Sequence, residues 1–280
     1  MDRTETAIRK LLTALPAPGY DLGILNAQGM YRLEAVPHAR ILRMLPYLKY
    51  RNATGAHIYI RPTGESPYTL LDDLTATSLT RLTAEGYAPA AVVETSPGNF
   101  QGWLRHAQPL SKELGTLAAK VLAVQFGADT NAADWRRFGR AAGFTNRKPQ
   151  HCTEQGLYPV ARLISHSGEP FAAATGFVTR LLNLQKSIKE QRMIHRQRYA
   201  VPPSRIVCGL TLSRFRRSAR YEGRPAAADL AFSIAACSQG WAEKDIAAAL
   251  SIDYLSRDTS QSRKAAYIRR TISKALQWLG

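Results

Sequence analysis

Val92 to Trp103 reads V-V-E-T-S-P-G-N-F-Q-G-W, an apolar β-branched run that enters a Ser-Pro-Gly-Asn loop. Ala90 to Thr95 is therefore expected as a buried strand. Downstream, Ser111 to Val124 has helical spacing and opens just after Pro109. Upstream, Ser78 to Glu85 reads as a short helix closed by Gly86, and His57 to Arg61 and Thr69 to Asp72 read as strands. Pro37 suits the first position of a helix running to about Lys49. Tyr20 to Leu25 and Met30 to Leu33 flank Asn26-Ala27-Gln28-Gly29, which predicts a hairpin. Thr4 to Leu15 places Ile8, Leu11, Leu12 and Leu15 on one helical face, and Pro16 stops it. Helices and strands mix without a regular βαβ repeat, so the pattern predicts an α+β domain with a mainly antiparallel sheet.

Beyond Ser167-Gly168-Glu169-Pro170 the character changes. Phe177, Leu181, Leu184 and Ile188 share a helical face, and the helix is expected to run to about Tyr199 before Pro202-Pro203 forms a hinge. Residues 176–200 hold six Lys or Arg against one Glu, the signature of a basic connecting helix. From Arg205 onward only helical patterns appear: Leu212 to Tyr221, Pro225 to Gln239 with Gly240 as its stop, Glu243 to Leu250, and Arg263 to Leu279. The expected organisation is an α+β domain over residues 1–170, a connecting helix and hinge over 171–204, and a small all-α bundle over 205–280.

The 280 residues carry a formal charge of +17, most of it in the last 105, which favours a polyanionic partner such as nucleic acid. Cys152, Cys208 and Cys237 are far apart and odd in number, so they form neither a disulfide framework nor a zinc ligand set. The six histidines include no H-x-H and no H-E-x-x-H, which argues against a zinc hydrolase or a rolling-circle nickase. No stretch approaches 18 uninterrupted apolar residues and no signal core opens the chain; the expectation is a soluble cytoplasmic protein without a membrane partner.

Asp134 to Lys148, D-W-R-R-F-G-R-A-A-G-F-T-N-R-K, gathers four arginines, a lysine and an asparagine around Gly139 and Gly143. Guanidinium groups beside permissive backbone suit phosphate; the alternative is a basic helix end followed by a loop. The Thr95-Ser96-Pro97-Gly98-Asn99 loop equally presents backbone N–H groups to a phosphate, or is a plain β-turn. Tyr59, Phe100 and Trp103 are of a type that stacks on bases, although aromatics beside a sheet are more often core.

Read together, Y-I-R-P at Tyr59 to Pro62, L-D-D-L at Leu71 to Leu74, V-V-E-T-S-P at Val92 to Pro97 and A-G-F-T-N-R-K at Ala142 to Lys148 resemble the RepB-type primases of IncQ-group broad-host-range mobilisable plasmids. These are a divergent branch of the archaeo-eukaryotic primase superfamily. The resemblance implies a nucleotidyltransferase that primes DNA replication at single-stranded plasmid origin DNA, from nucleoside triphosphates, alongside a plasmid replicative helicase. It implies Mg²⁺ or Mn²⁺ rather than zinc, held by Asp72, Asp73 and Asp134. Adjacent strand residues point to opposite faces, so Asp72-Asp73 requires that the strand has ended or bulged, or that only Asp72 is a ligand and Asp73 caps the next helix. Ser96, Asn99, Arg137, Arg140, Asn146 and Lys148 are the implied nucleotide contacts. Gln101 stands where the wider superfamily often has a nucleotide-contacting histidine, which puts proton donation there in doubt. Arg61 and the bundle's Arg214, Arg216, Arg217, Arg269 and Arg270 are candidates for DNA. The rival reading is a non-enzymatic origin-binding replication protein with a helix-turn-helix C-terminal domain.

Overall fold

The computed structural model describes residues 2–199, 209–252 and 260–279. The chain divides into two compact units, Met1–Lys186 and Ser187–Gly280. Pro202-Pro203 and Cys208 lie outside the described residues.

The first unit holds five helices, α1 (Arg3–Ala14), α2 (His38–Ala53), α3 (Ala76–Ala84), α4 (Lys112–Phe126) and the opening of α5 (Ala174–Tyr199). Eight strands accompany them: β1 (Tyr20–Asn26), β2 (Gly29–Val36), β3 (His57–Pro62), β4 (Tyr68–Leu74), β5 (Ala91–Ser96), β6 (Asn99–Arg105), β7 (Gly139–Arg140) and β8 (Arg162–Ser165). They form two four-stranded sheets, ordered β2-β1-β3-β7 and β4-β6-β5-β8, with every pairing antiparallel. The α+β class with antiparallel pairing agrees with the sequence pattern, but the strands divide between two sheets.

The second sheet is buried on both faces because successive side chains point opposite ways. Tyr68 and Leu70 of β4 and Trp103 of β6 enter one core with α1, α2 and the first sheet. Leu71, Leu74 and Leu104, from the same two strands, enter another with α3 and α4. Ala174, Phe177, Val178 and Leu181 of α5 complete that second core, whereas Leu184 stands exposed.

Local chemistry accounts for most boundaries. Asp2 caps α1 by accepting from the Thr4 N–H, and Ser111 caps α4 through the Leu114 N–H. Pro37 sits one position earlier than expected, as the cap of α2, and that helix runs through Pro46 to Ala53. The helix expected from Leu212 to Tyr221 ends at Arg216 and resumes as a 3-10 turn over Ala219–Tyr221.

The second unit contains α6 (Leu212–Arg216), α7 (Pro225–Ser238), α8 (Glu243–Ile252) and α9 (Gln261–Leu279) around Leu212, Phe232, Ala236, Ile246, Leu250, Ile268 and Ile272. Within it Asp229, 1% exposed, takes two bonds from Arg216 (Nε at 2.8 Å, Nη2 at 3.2 Å) and one from the Tyr267 hydroxyl at 2.8 Å. Burial, followed by the Asp229 carboxylate, pushes the Tyr267 pKa up to about 12. Among the described residues no helix is long and apolar enough to cross a membrane.

His106 is the first unit's buried titratable group. Its Nε2 lies 2.8 Å from the Thr69 hydroxyl, its ring stacks on Phe177 at 5.8 Å, and its Nδ1 has no partner. Burial pulls its pKa from 6.5 to about 4. The unfolded chain protonates this ring first, so the stabilisation is complete above pH 6.5 and is lost as pH falls towards 4, by on the order of 3 kcal/mol. His106→Gln is therefore expected to flatten the acid limb of stability against pH; urea titrations of both proteins near pH 7 and pH 4.5 measure it, and parallel acid losses would refute the assignment.

Candidate active site

β4 ends on a bulge. Its pairing with β6 slips between Leu71 and Leu74, and Asp73 adopts φ 58°, a left-handed conformation uncommon outside glycine. The bulge turns both Asp72 and Asp73 into one cleft, which removes the opposite-face difficulty raised by their adjacency. Asp73 is not the helix cap, because Thr75 caps α3 by accepting from the Ser78 N–H. Instead its Oδ1 accepts from Asn99 Nδ2 at 3.0 Å.

Asn99 opens β6 after a tight turn, where Pro97 fixes one φ and Gly98 supplies φ 74°. The turn joins two strands, so the phosphate-loop segment is a β-hairpin whose second strand the sequence pattern did not mark. Thr95 donates to Asn99 Oδ1 at 3.1 Å, which holds the side chain aimed at Asp73. Ser96 is buried and lines the same cleft.

Two residues farther along β6, Gln101 is 4% exposed and has both ends of its amide engaged. Nε2 donates to Asp72 Oδ1 at 2.9 Å, and Oε1 accepts from the Arg140 N–H at 2.8 Å. This corrects the expectation of a nucleotide contact: the carboxamide ties β6 of one sheet to β7 of the other. The second oxygen of Asp72 accepts from Arg137 Nη2 at 2.8 Å.

The segment from Asp134 to Lys148 is not helical. It is a turn at Asp134, whose Oδ1 accepts from the Arg136 N–H at 2.7 Å, then the two residues of β7, then an irregular run. Arg61 anchors the turn. Its guanidinium lies 2.8 Å from Asp21, donates to the Arg136 carbonyl and stacks 4.4 Å from the Phe138 ring centroid. Burial raises the Asp21 pKa, but the Ala35 N–H, the Thr63 hydroxyl and Arg61 together bring it below the ordinary value. Arg61 lines the cleft with its charge balanced by Asp21.

Gly139 packs against Trp103 so closely that an added Cβ would lie 2.5 Å from Cζ2 of the indole. The next residue, Arg140, is 4% exposed, donates to His57 Nδ1 at 3.1 Å and to the Tyr59 hydroxyl at 3.2 Å, and lies over the Tyr59 ring. Burial lowers its pKa, against the opposing pull of Tyr59 and Asp72. Burial, then Arg140, Lys148 and Arg147, takes His57 down to about 4, so its neutral ring accepts the bond. Asn146, 2% exposed, donates to the Thr95 carbonyl at 2.8 Å and so orients its own loop against β5. Buried Asn52 clamps neighbouring Thr145 from α2, through both its N–H and its carbonyl. Lys148 is exposed at the cleft edge.

The cleft has a volume of about 790 Å³. It brings together every site residue expected in the first unit: Asp72, Asp73, Asp134, Ser96, Asn99, Gln101, Arg137, Arg140, Asn146, Lys148 and Arg61. It also takes in Asp129, Arg32, Arg136 and His151, which no motif had marked. Six Lys or Arg against four Asp leave the lining net positive, which suits a polyanionic ligand. Among the described residues no trio of His, Cys, Asp or Glu is close enough to enclose a metal ion. Mg²⁺ commonly uses one or two carboxylates and completes its shell with water and substrate phosphate, and the Asp72–Asp73 pair fits that donor set.

The bundle arginines belong to the second unit. Arg216 is committed to Asp229, which corrects its expected availability for DNA; Arg214, Arg217, Arg269 and Arg270 are exposed.

Residues 5–193 match the RepB DNA-primase N-terminal domain family. Mobilization protein A of Escherichia coli is 32% identical over 98% of this chain, which spans 41% of that relative's length. The crystal structure of primase RepB' is similar at TM-score 0.68 and 29% identity, over 98% of this chain and 94% of that one. The catalytic domain of primase RepB' in complex with initiator DNA is similar at TM-score 0.64 and 35% identity, over 68% and 99% of the two chains.

The Gly139–Trp103 contact generates a stability test. Gly139→Ala drives a methyl into a buried indole and is expected to destabilise the first unit by roughly 1–3 kcal/mol. Thermal unfolding followed by tryptophan fluorescence reads the loss; an unchanged Tm would show that β7 shifts freely and does not fix Arg140.

Proposed function

The chain belongs to the RepB DNA-primase family, and from this premise we propose that it synthesises primers on single-stranded plasmid origin DNA by divalent-metal-dependent nucleotidyl transfer. The observation that carries the reading is one cleft with the Asp72–Asp73 carboxylates at one wall and Arg137, Arg140 and Lys148 gathered with them. Primer synthesis is attack of a hydroxyl on the α-phosphate of a nucleoside triphosphate, with pyrophosphate leaving. Asp72 and Asp73 would hold Mg²⁺ or Mn²⁺, with Asp134 as the proposed third ligand. Bound there, the metal would activate the attacking oxygen and offset charge on the leaving pyrophosphate.

The chain's own groups do the positioning. Arg140, fixed by His57, Tyr59 and Gln101, and the more mobile side chains of Arg137 and Lys148 take the triphosphate oxygens. Ser96 and Asn99 line the nucleotide, and Asn146 keeps their loop in register. The proposed domains are a catalytic domain over 1–170, a connecting helix over 171–204 and a template-recognition bundle over 205–280. Arg214, Arg217, Arg269 and Arg270 would meet DNA phosphates there. A plasmid replicative helicase as partner and a cytoplasmic location complete the proposal.

Labelled-nucleotide incorporation on single-stranded templates, with and without Mg²⁺, tests the activity and separates it from a purely DNA-binding role. Asp72→Ala and, separately, Asp134→Ala are expected to lower incorporation by roughly a hundredfold or more while template affinity stays nearly constant. Normal turnover in either variant removes that residue from the site, and Asp73→Ala reports in the same assay whether its carboxylate is a ligand.

Replacing Arg269 and Arg270 together by alanine is expected to weaken template binding and to reduce the slope of log K against log salt by about two. An unchanged slope would place the template elsewhere.

A further inference from the structure

Arg137 has a relation to Asp72 that a triphosphate contact alone does not explain. Both oxygens of Asp72 are engaged: Oδ1 by Gln101 at 2.9 Å and Oδ2 by Arg137 at 2.8 Å. The two bonds differ in permanence. Gln101 is buried and tied at its other end to the Arg140 N–H, whereas the Arg137 side chain is 41% exposed and reaches Asp72 from the Asp134 turn. Asp72 itself is 13% exposed, so a cation has little access to Oδ2 while the guanidinium stays there.

We propose that Arg137 is a positioning residue that exchanges partners: it holds Asp72 Oδ2 in the nucleotide-free protein and transfers to the triphosphate, leaving that oxygen for the metal. The inference rests on the metal-dependent reading given above. Its consequence is reciprocal coupling, because whatever draws Arg137 away from Asp72 favours the cation, and whatever neutralises Asp72 frees Arg137 for phosphate. Gln101 keeps Asp72 in place throughout, so the exchange needs only one side chain to move. Arg136 supplies the internal comparison. It lines the same cleft and carries the same charge, but its nearest carboxylate contact is Asp134 at 3.9 Å.

Two titrations of the full-length protein test the exchange. In the first, Mn²⁺ alone is titrated by electron paramagnetic resonance without nucleotide. Arg137→Gln is expected to bind Mn²⁺ about fivefold more tightly than the parent, in keeping with the worth of a partly exposed ion pair, and Arg136→Gln appreciably less so. In the second, a nonhydrolysable nucleoside triphosphate is titrated in EDTA: Asp72→Asn should bind it severalfold more tightly than the parent, and Arg137→Gln more weakly. Equal Mn²⁺ affinities for Arg137→Gln and Arg136→Gln would reduce the effect to general cleft charge and overturn the exchange while leaving the metal site standing. Absence of Mn²⁺ binding in every form, with triphosphate present as well as without it, would instead remove the metal-dependent reading and the exchange together.

Discussion

Gln101 donates to the Asp72 carboxylate in its own sheet and accepts from the Arg140 main chain in the other. An amide that is 4% exposed must have its donor and its acceptor satisfied, since an unmet buried polar group costs about 1–3 kcal/mol. Here both are met only when β6 and β7 lie in register. The same approach is enforced by packing, because Gly139 leaves room for the Trp103 indole and no larger residue does. A polar and a steric constraint thus coincide at two successive residues, Gly139 and Arg140, and set an acidic wall against a basic one.

Charge in the cleft is balanced locally before any ligand arrives. Asp21 balances Arg61, Asp72 balances Arg137, and Arg140 rests on a neutral histidine and a tyrosine. These contacts differ in exposure. The Arg61 ion pair and the Arg140 cradle are buried and hold a fixed geometry, while Arg137 and Lys148 lie near solvent, where the cost of changing partners is small. The second unit follows the buried pattern, with Asp229 accepting from Arg216 and Tyr267 inside the helical core.

Much of the fold was legible in local chemistry. The β1–β2 hairpin, the caps at Asp2 and Ser111 and the apolar faces of α1 and α9 all follow from patterns contained within a few residues. β6 escaped notice because Gly102 interrupts it, and that glycine is explained only by Leu74, whose Cδ1 would lie 3.1 Å from an added Cβ. β7 escaped because two residues carry no periodicity at all. Pro46 gave a false stop inside α2, where Ile41, Leu45 and Leu48 bury the helix face and outweigh one missing N–H.

The amino-acid sequence by itself determined the class of fold, the change to an all-helical segment, the excess of positive charge and the short motifs that share one cleft. Each is written in residue types and spacings of a few positions. Tertiary structure alone decided that Gln101 faces inward rather than towards a ligand, that Asp73 enters the cleft on a bulge, that Arg61 belongs to Asp21, and that Arg216 belongs to a buried aspartate. The partners in most of these contacts are tens of residues apart, and their meeting depends on which faces the two cores bury. That is a property of the closed chain, carried by no single segment of it.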